Sequence, residues 1–193
     1  MRGEETTMSE DSARAMQPAP ASGAALPGSA PGSSRLSGKS FQVLEFLLGK
    51  EHFAIDLFDV REVVEYTPIT KLPNTASYMK GIIDLRGEIT TIIDLKERLH
   101  IPVNPGQKEN EGRFIVLDEK LTGVKTGILV DDVLAVSTFE KDDVDAASNA
   151  GAGDDEAILG IIKKKVRDKE NEIHELVIWI DIRKTLQIME NKE

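Results

Sequence analysis

The chain has 193 residues, with 24 Lys and Arg against 34 Asp and Glu, a formal net charge of −10, no Cys and one Trp. The absence of cysteine excludes disulfide scaffolds, Cys-ligated zinc, iron–sulfur clusters and thiol nucleophiles. The acid excess argues against nucleic-acid binding and against docking on anionic lipid, both of which need a basic face.

No apolar run approaches the ~20 residues that span a bilayer. The first residues carry no apolar signal segment, and Arg2 stands where an N-myristoyl glycine would be. The expectation is a soluble cytoplasmic protein. Residues 1–40 hold 7 Ala, 5 Gly, 4 Pro and 8 Ser with no aromatic residue. They cannot bury enough apolar surface to offset their ordering entropy, so a disordered tail is expected. Its four cations and four acids cancel, which places the whole charge of −10 on residues 41–193.

From Phe41 the texture changes to short β-prone runs. Phe41–Leu48 and His52–Ile55 around Gly49-Lys50 predict a hairpin, Val60–Glu65 predicts a strand, and Ile82–Leu85 with Ile89–Ile93 around Arg86-Gly87-Glu88 predicts a second hairpin. Phe114–Leu117, Gly127–Val130, Val133–Val136, Ile158–Ile162 and Glu175–Ile180 continue the pattern. Short helices are expected at Ala76–Lys80, Leu95–Leu99 and Ile182–Met189. Polar or Gly-rich loops are expected at Asn104–Gly112, Asp142–Glu156 and Lys163–Glu172. Many close strands with small helices predict an all-β barrel or sandwich.

One pattern occurs twice. Gly81-Ile82-Ile83 leads through a strand to Ile92-Ile93-Asp94-Leu95, and Gly160-Ile161-Ile162 leads through another to Trp179-Ile180-Asp181-Ile182. Gly to Asp spans 13 positions in the first copy and 21 in the second, the difference falling in Lys163–Glu172. Strand-to-helix junctions often carry such an Asp as a cap, but the repeated order points to two similar β units packed on each other. Ala54-Ile55-Asp56 and Leu129-Val130-Asp131 form a fainter echo.

Signatures of catalysis are missing. His52, His100 and His174 sit in unrelated contexts, and there is no phosphate loop, nucleophile elbow or dinucleotide fingerprint. Asp142-Asp143 and Asp154-Asp155 lack the alternating ligands of a calcium loop, so no metal and no cofactor are expected. Lys163-Lys164-Lys165, Arg167 and Lys169 are interleaved with Asp168, Glu170 and Glu172, and read as a solvated mixed-charge loop.

The segments Phe53-Ala54-Ile55-Asp56, Val60-Arg61-Glu62-Val63, Ile69–Thr75, Met79–Gly87 and Ile92–Leu95, followed by Gly127–Asp131 and Ile158-Leu159-Gly160, resemble the CheW family over residues 41–189. The run Lys80-Gly81-Ile82-Ile83-Asp84-Leu85-Arg86-Gly87 is the most specific piece, with Asp84 where the family usually has Asn. The resemblance implies two small SH3-like β-barrels, a first over 41–103 and a second over 113–180, with a C-terminal helix at 182–189. It implies a non-enzymatic chemotaxis adaptor at cytoplasmic receptor arrays. Its partners would be the regulatory domain of the chemotaxis histidine kinase and the cytoplasmic tip of chemoreceptors. A small-ligand-binding barrel, or a kinase-regulatory barrel outside chemotaxis, is the alternative.

Six residues are candidates for partner binding. Arg86 at a turn offers a planar fork that pairs with carboxylates or carbonyls, and the family match favours that role over a merely solvated one. Gly87 supplies turn geometry, and Asp84 could orient Arg86. Val60, Glu62 and Val63 lie in the region that the family uses for receptor contact. Strand alternation puts Val60 and Glu62 on one face as contacts and Val63 on the other as core. Ile55, Leu57, Phe58 and Leu85 are expected in the core.

Overall fold

The computed structural model describes residues 39–102, 111–146, 157–168 and 171–187. β1 (Ser40–Leu48) and β2 (Glu51–Asp56) form the expected hairpin, and a short 3-10 turn at Leu57–Asp59 leads into β3 (Val60–Glu65). β4 (Met79–Leu85) and β5 (Glu88–Asp94) form the second hairpin, and α1 (Leu95–Arg98) follows directly. β6 (Arg113–Leu117), β7 (Thr126–Val130), β8 (Asp132–Glu140), β9 (Val144–Ala146), β10 (Ile158–Asp168), β11 (Asn171–Ile180) and α2 (Ile182–Gln187) complete the order. Of the expected tail only Lys39 and Ser40 fall within the described residues, and Ser40 opens β1. The loops 104–112 and 142–156 and the helix end 188–189 lie largely outside them.

The strands form two sheets with one plan. The first runs β8-β1-β2-β11-β10-β9 and the second β3-β6-β7-β5-β4. Each contains one parallel contact, β2 with β11 and β5 with β7, and each leads by a buried Asp into a helix. Asp94 accepts the Glu97 N–H at 3.2 Å, and Asp181 accepts the N–H groups of Arg183 and Lys184 at 3.0 and 3.4 Å. The repeat read from the sequence is therefore structural. It is also rotated in chain order: β3–β7 build one barrel, whereas β8–β11 are completed by β1 and β2 from the other end of the chain. The sheets thus cut across the sequential division into 41–103 and 113–180.

Pairing also corrects the fainter echo. Gly81 faces Ile92 and Gly160 faces Trp179, while Ile92 faces Gly127 and Trp179 faces Ala54. Ala54 consequently corresponds to Gly127 rather than to Leu129. Both repeat glycines sit at irregularities in their hairpins. A Cβ on Gly81 would lie 2.2 Å from the Thr70 carbonyl oxygen, and one on Gly160 would lie 2.7 Å from that of Asp145. Only glycine admits such an approach.

β1 explains why the barrels stay together. Phe41 and Val43 face the first barrel's own core with Ala54, Ile162, Val177 and Trp179, and the Phe41 and Trp179 rings stack at 4.5 Å. Leu44, Phe46 and Leu48 point the other way into a larger cluster. There they meet Phe53, Ile55, Ile180 and Ile182 from their own side and Ile93, Leu95, Ile115, Leu117 and Ile128 from the second barrel. A strand buried on both faces reads as a near-continuous apolar run, as Val43–Leu48 does. Ile83, Ile92 and Phe114 make the second barrel's smaller interior.

Four local expectations fail, each for a tertiary reason. Ala76–Lys80 is not a helix: the Met79 N–H closes one turn on the Ala76 carbonyl at 2.9 Å, and Met79 and Lys80 then join β4. Phe58 is 85% exposed because its 3-10 turn sends Asp59 inward and sets Leu57 against the inter-barrel cluster. Ile55 is fully buried, and Leu57 and Leu85 are partly so. Most of Lys163–Glu172 is strand rather than loop, β10 and β11 remaining paired from Lys163↔Leu176 to Asp168↔Asn171. Lys164 does not belong to a solvated cluster. Its Nζ pairs with both carboxylate oxygens of the fully buried Glu45, at 2.7 and 3.0 Å, and Glu45 also accepts the Ser137 hydroxyl.

Two stability predictions follow from these contacts. Lys164→Ala strands the Glu45 charge and should cost about 3 kcal/mol in urea unfolding, whereas Lys164→Met with Glu45→Met should recover most of it. Gly81→Ala should be the more damaging of two glycine replacements, on the order of 3 kcal/mol or more. Gly87→Ala, with open space around its Cβ, should lose only the ~1 kcal/mol of a left-handed residue.

Candidate functional site

The β4–β5 hairpin closes with Leu85 paired to Glu88, leaving Arg86 and Gly87 as its two-residue loop. Both have positive φ, 56° and 84°, the signature of the type I′ turn that matches the right-handed twist of a hairpin. Glycine takes this conformation freely, but arginine does so only under constraint. Asp84 supplies part of that constraint: its carboxylate accepts the Gly87 N–H at 2.7 Å. Asp84 therefore holds the turn, and its recorded contact is to the backbone rather than to the Arg86 guanidinium.

The turn presents Arg86 with its side chain 84% exposed. Glu62 on β3 anchors it, its Oε2 lying 3.3 Å from the Arg86 Nη2. β3 and β4 are opposite ends of the sheet order, so this pair forms where the barrel curls round. Arg61 Nη2 lies 3.8 Å from Glu88 Oε2, and Lys125 Nζ pairs with the other Glu88 oxygen. Together with Leu85, Thr90, Val116 and Leu117 these residues line a cleft of about 270 Å3. Three cations face two carboxylates there, on an otherwise acidic molecule. The arrangement suits recognition of carboxylate or carbonyl groups.

Of the six expected residues, the structure brings Glu62 and Arg86 into direct contact and places Asp84 and Gly87 in the same turn. β3 alternates as expected, but with the inward face reversed for the valines. Val60 packs against the inter-barrel cluster, and Val63 is 36% exposed. Val63 is accordingly the surface residue and Val60 the packing one. β3 starts directly from the 3-10 turn, and its pairing with β6 is irregular between Val60 and Glu62. Arg61, Glu88 and Lys125 were not anticipated. Lys125 reaches the cleft through the parallel register of β5 and β7, where the Thr91 N–H bonds the Lys125 carbonyl at 2.9 Å. No local pattern announces a parallel neighbour.

Among the described residues no group of three or more His, Asp or Glu side chains could hold a metal ion, and no helix is long and apolar enough to cross a membrane. The Glu88 carboxyl is held below its ordinary value of 4.5, first by the hydrogen bond from Lys125 and then by its charge, with Arg61 adding to it. A depressed carboxyl stabilises the folded state above its unfolded value, and that contribution is lost as pH falls through the folded value. Lys125→Ala should therefore move the Glu88 carboxyl up toward its ordinary range, read by carbon NMR titration. An unmoved Glu88 would show that the pairing is absent in solution.

The family model of the CheW-like domain matches residues 42–190. The chain is 30% identical to the chemotaxis protein CheW of Treponema pallidum over 132 residues, 67% of this chain and 76% of that protein. It is 28% identical to the chemotaxis protein CheW of Thermotoga maritima over 155 residues, covering 80% and 93% of the two chains. The crystal structure of the scaffolding protein TtCheW from Thermoanaerobacter tengcongensis superposes with a TM-score of 0.58 at 30% identity, covering 73% of this chain and 88% of that one. The two packed sheets are thus SH3-like barrels, and the chain belongs to the CheW family.

Proposed function

We propose that this chain is a non-enzymatic chemotaxis adaptor that couples chemoreceptors to the chemotaxis histidine kinase. The observation that carries the reading is the similarity to CheW proteins across both barrels, from residue 42 to residue 190. The shared apolar cluster packs the two barrels against each other. A body joined in this way can present two separate surfaces at once. Linking two modest contacts in this way raises the effective concentration of one partner at the other. A conformational change in the receptor can then bias the kinase without any chemistry on the adaptor.

In this reading the kinase's regulatory domain docks at a barrel end and the receptor tip docks in the groove between barrels, within cytoplasmic receptor arrays. Val60, Glu62, Val63, Asp84, Arg86 and Gly87 are the proposed contact region. Val63 and Arg86 reach outward, Glu62 steadies Arg86, Asp84 and Gly87 shape the turn, and Val60 supports β3 from beneath.

The test is a calorimetric titration of the full chain against the isolated regulatory domain of the kinase, then against a soluble receptor-tip fragment. Saturable one-to-one binding in the micromolar range is expected. Arg86→Ala should weaken at least one of the two interactions about tenfold or more, while its melting temperature stays within about 2 °C of the parent. A folded protein that binds neither partner overturns the adaptor reading. A large drop in melting temperature would make Arg86 a structural residue.

A further inference from the structure

The repeat supplies an internal yardstick for the β10–β11 hairpin. Its counterpart β4–β5 turns at Arg86-Gly87, whereas β10–β11 carries eight more residues between the shared Gly and Asp. β9 pairs with β10 only at Gly160–Ile162, and β2 pairs with β11 only at Val177–Trp179. Beyond those points the hairpin continues as a two-stranded ribbon from Lys163↔Leu176 to Asp168↔Asn171. Among the described residues no other strand pairs with either of its edges. Isolated two-stranded ribbons are marginal in water, and an unpaired edge is a template for another extended chain.

This ribbon has a distinct chemistry. Alternation puts Lys163 and Lys165 on one face, and their direct cross-strand partners Leu176 and His174 share it. Lys165 is exposed, Lys163 is half exposed beside Asp145 at 2.6 Å, and Leu176 is 60% exposed. The ribbon root is fixed by the Lys164–Glu45 pair and by Val166 against Ile173 on the opposite face. A molecule with net charge −10 thus carries a basic, partly apolar strand whose outer edge pairs with no other described strand beyond Ile162.

We propose that the β10 side of this ribbon is a docking edge for an extended acidic segment of a partner protein, which adds as a strand with its carboxylates facing Lys163 and Lys165. The free edge favours a polypeptide, because strand addition satisfies backbone groups that a lipid or a nucleic acid cannot. The overall acidity of the chain disfavours both of those polyanions. A second copy pairing through the same edge would bring lysines against lysines, which costs rather than stabilises. The site lies on the other sheet from the Arg86 turn, and it does not rest on the identity of either partner proposed above.

The test uses the full chain and a blocked peptide of about eight residues alternating Glu and Thr, followed by amide NMR. Shifts confined to Lys163–Val166 and the facing residues of β11 are expected. The same peptide N-methylated at alternate residues keeps its charge but cannot add as a strand, and it should fail to bind. Lys163→Glu with Lys165→Glu should weaken the acidic peptide about tenfold or more and bind an alternating Lys–Thr peptide instead. No binding, shifts centred on Arg86, or undiminished binding of the N-methylated peptide would overturn the proposal. Stronger uptake by phosphatidylglycerol vesicles than by the peptide would assign the lysines to a lipid surface and overturn it as well.

Discussion

The structure depends on one strand being buried on both sides. β1 sends Phe41 and Val43 into its own barrel and Leu44, Phe46 and Leu48 into the cluster shared with the other. Each barrel alone has a small interior, three buried side chains among the described residues in the case of Ile83, Ile92 and Phe114. Domains of that size bury too little surface to be comfortable alone. The shared cluster holds more buried side chains than either separate interior, so it supplies the larger part of the hydrophobic burial among the described residues.

Topology reinforces the same conclusion. The second repeat, β8–β11, is completed by β1 and β2 from the opposite end of the chain. No cut between the repeats yields two whole barrels. The β1–β8 and β2–β11 contacts join residues 85 or more positions apart, and non-local closures of this kind are slow to form. The linkage also packs surfaces of the two barrels side by side in one body.

The candidate site is built on that frame with few local means. A two-residue turn with positive φ at both positions projects Arg86 outward, an Asp84–Gly87 bond closes the turn, and a single ion pair to Glu62 steadies the guanidinium. At such exposure an ion pair contributes little to stability. It constrains direction instead, so the site can be altered without unfolding its scaffold. The buried Glu45–Lys164 pair is the opposite case, since either partner alone leaves a charge without compensation.

Much of this was readable from the chain alone. The strands Phe41–Leu48, Val60–Glu65 and Phe114–Leu117, the Arg86-Gly87 hairpin, the Asp94 and Asp181 junctions and the repeat all rest on periods of two, turn residues and caps. These are local signals, and the sequence by itself determined them. Tertiary structure alone decided the rest. It chose which barrel receives β1 and β2, since pairing between distant strands leaves no trace in either. It decided that Phe58 and Val63 face outward, because Phe58 stands in a 3-10 turn and β3 packs inward through Val60. It turned an apparent charged loop into a ribbon and Lys164 into the partner of a buried acid, because cross-strand neighbours are invisible until the register is known. The cleft around Arg86 shows the same division. Its turn is local, while Glu62, Arg61 and Lys125 reach it only when the barrel closes.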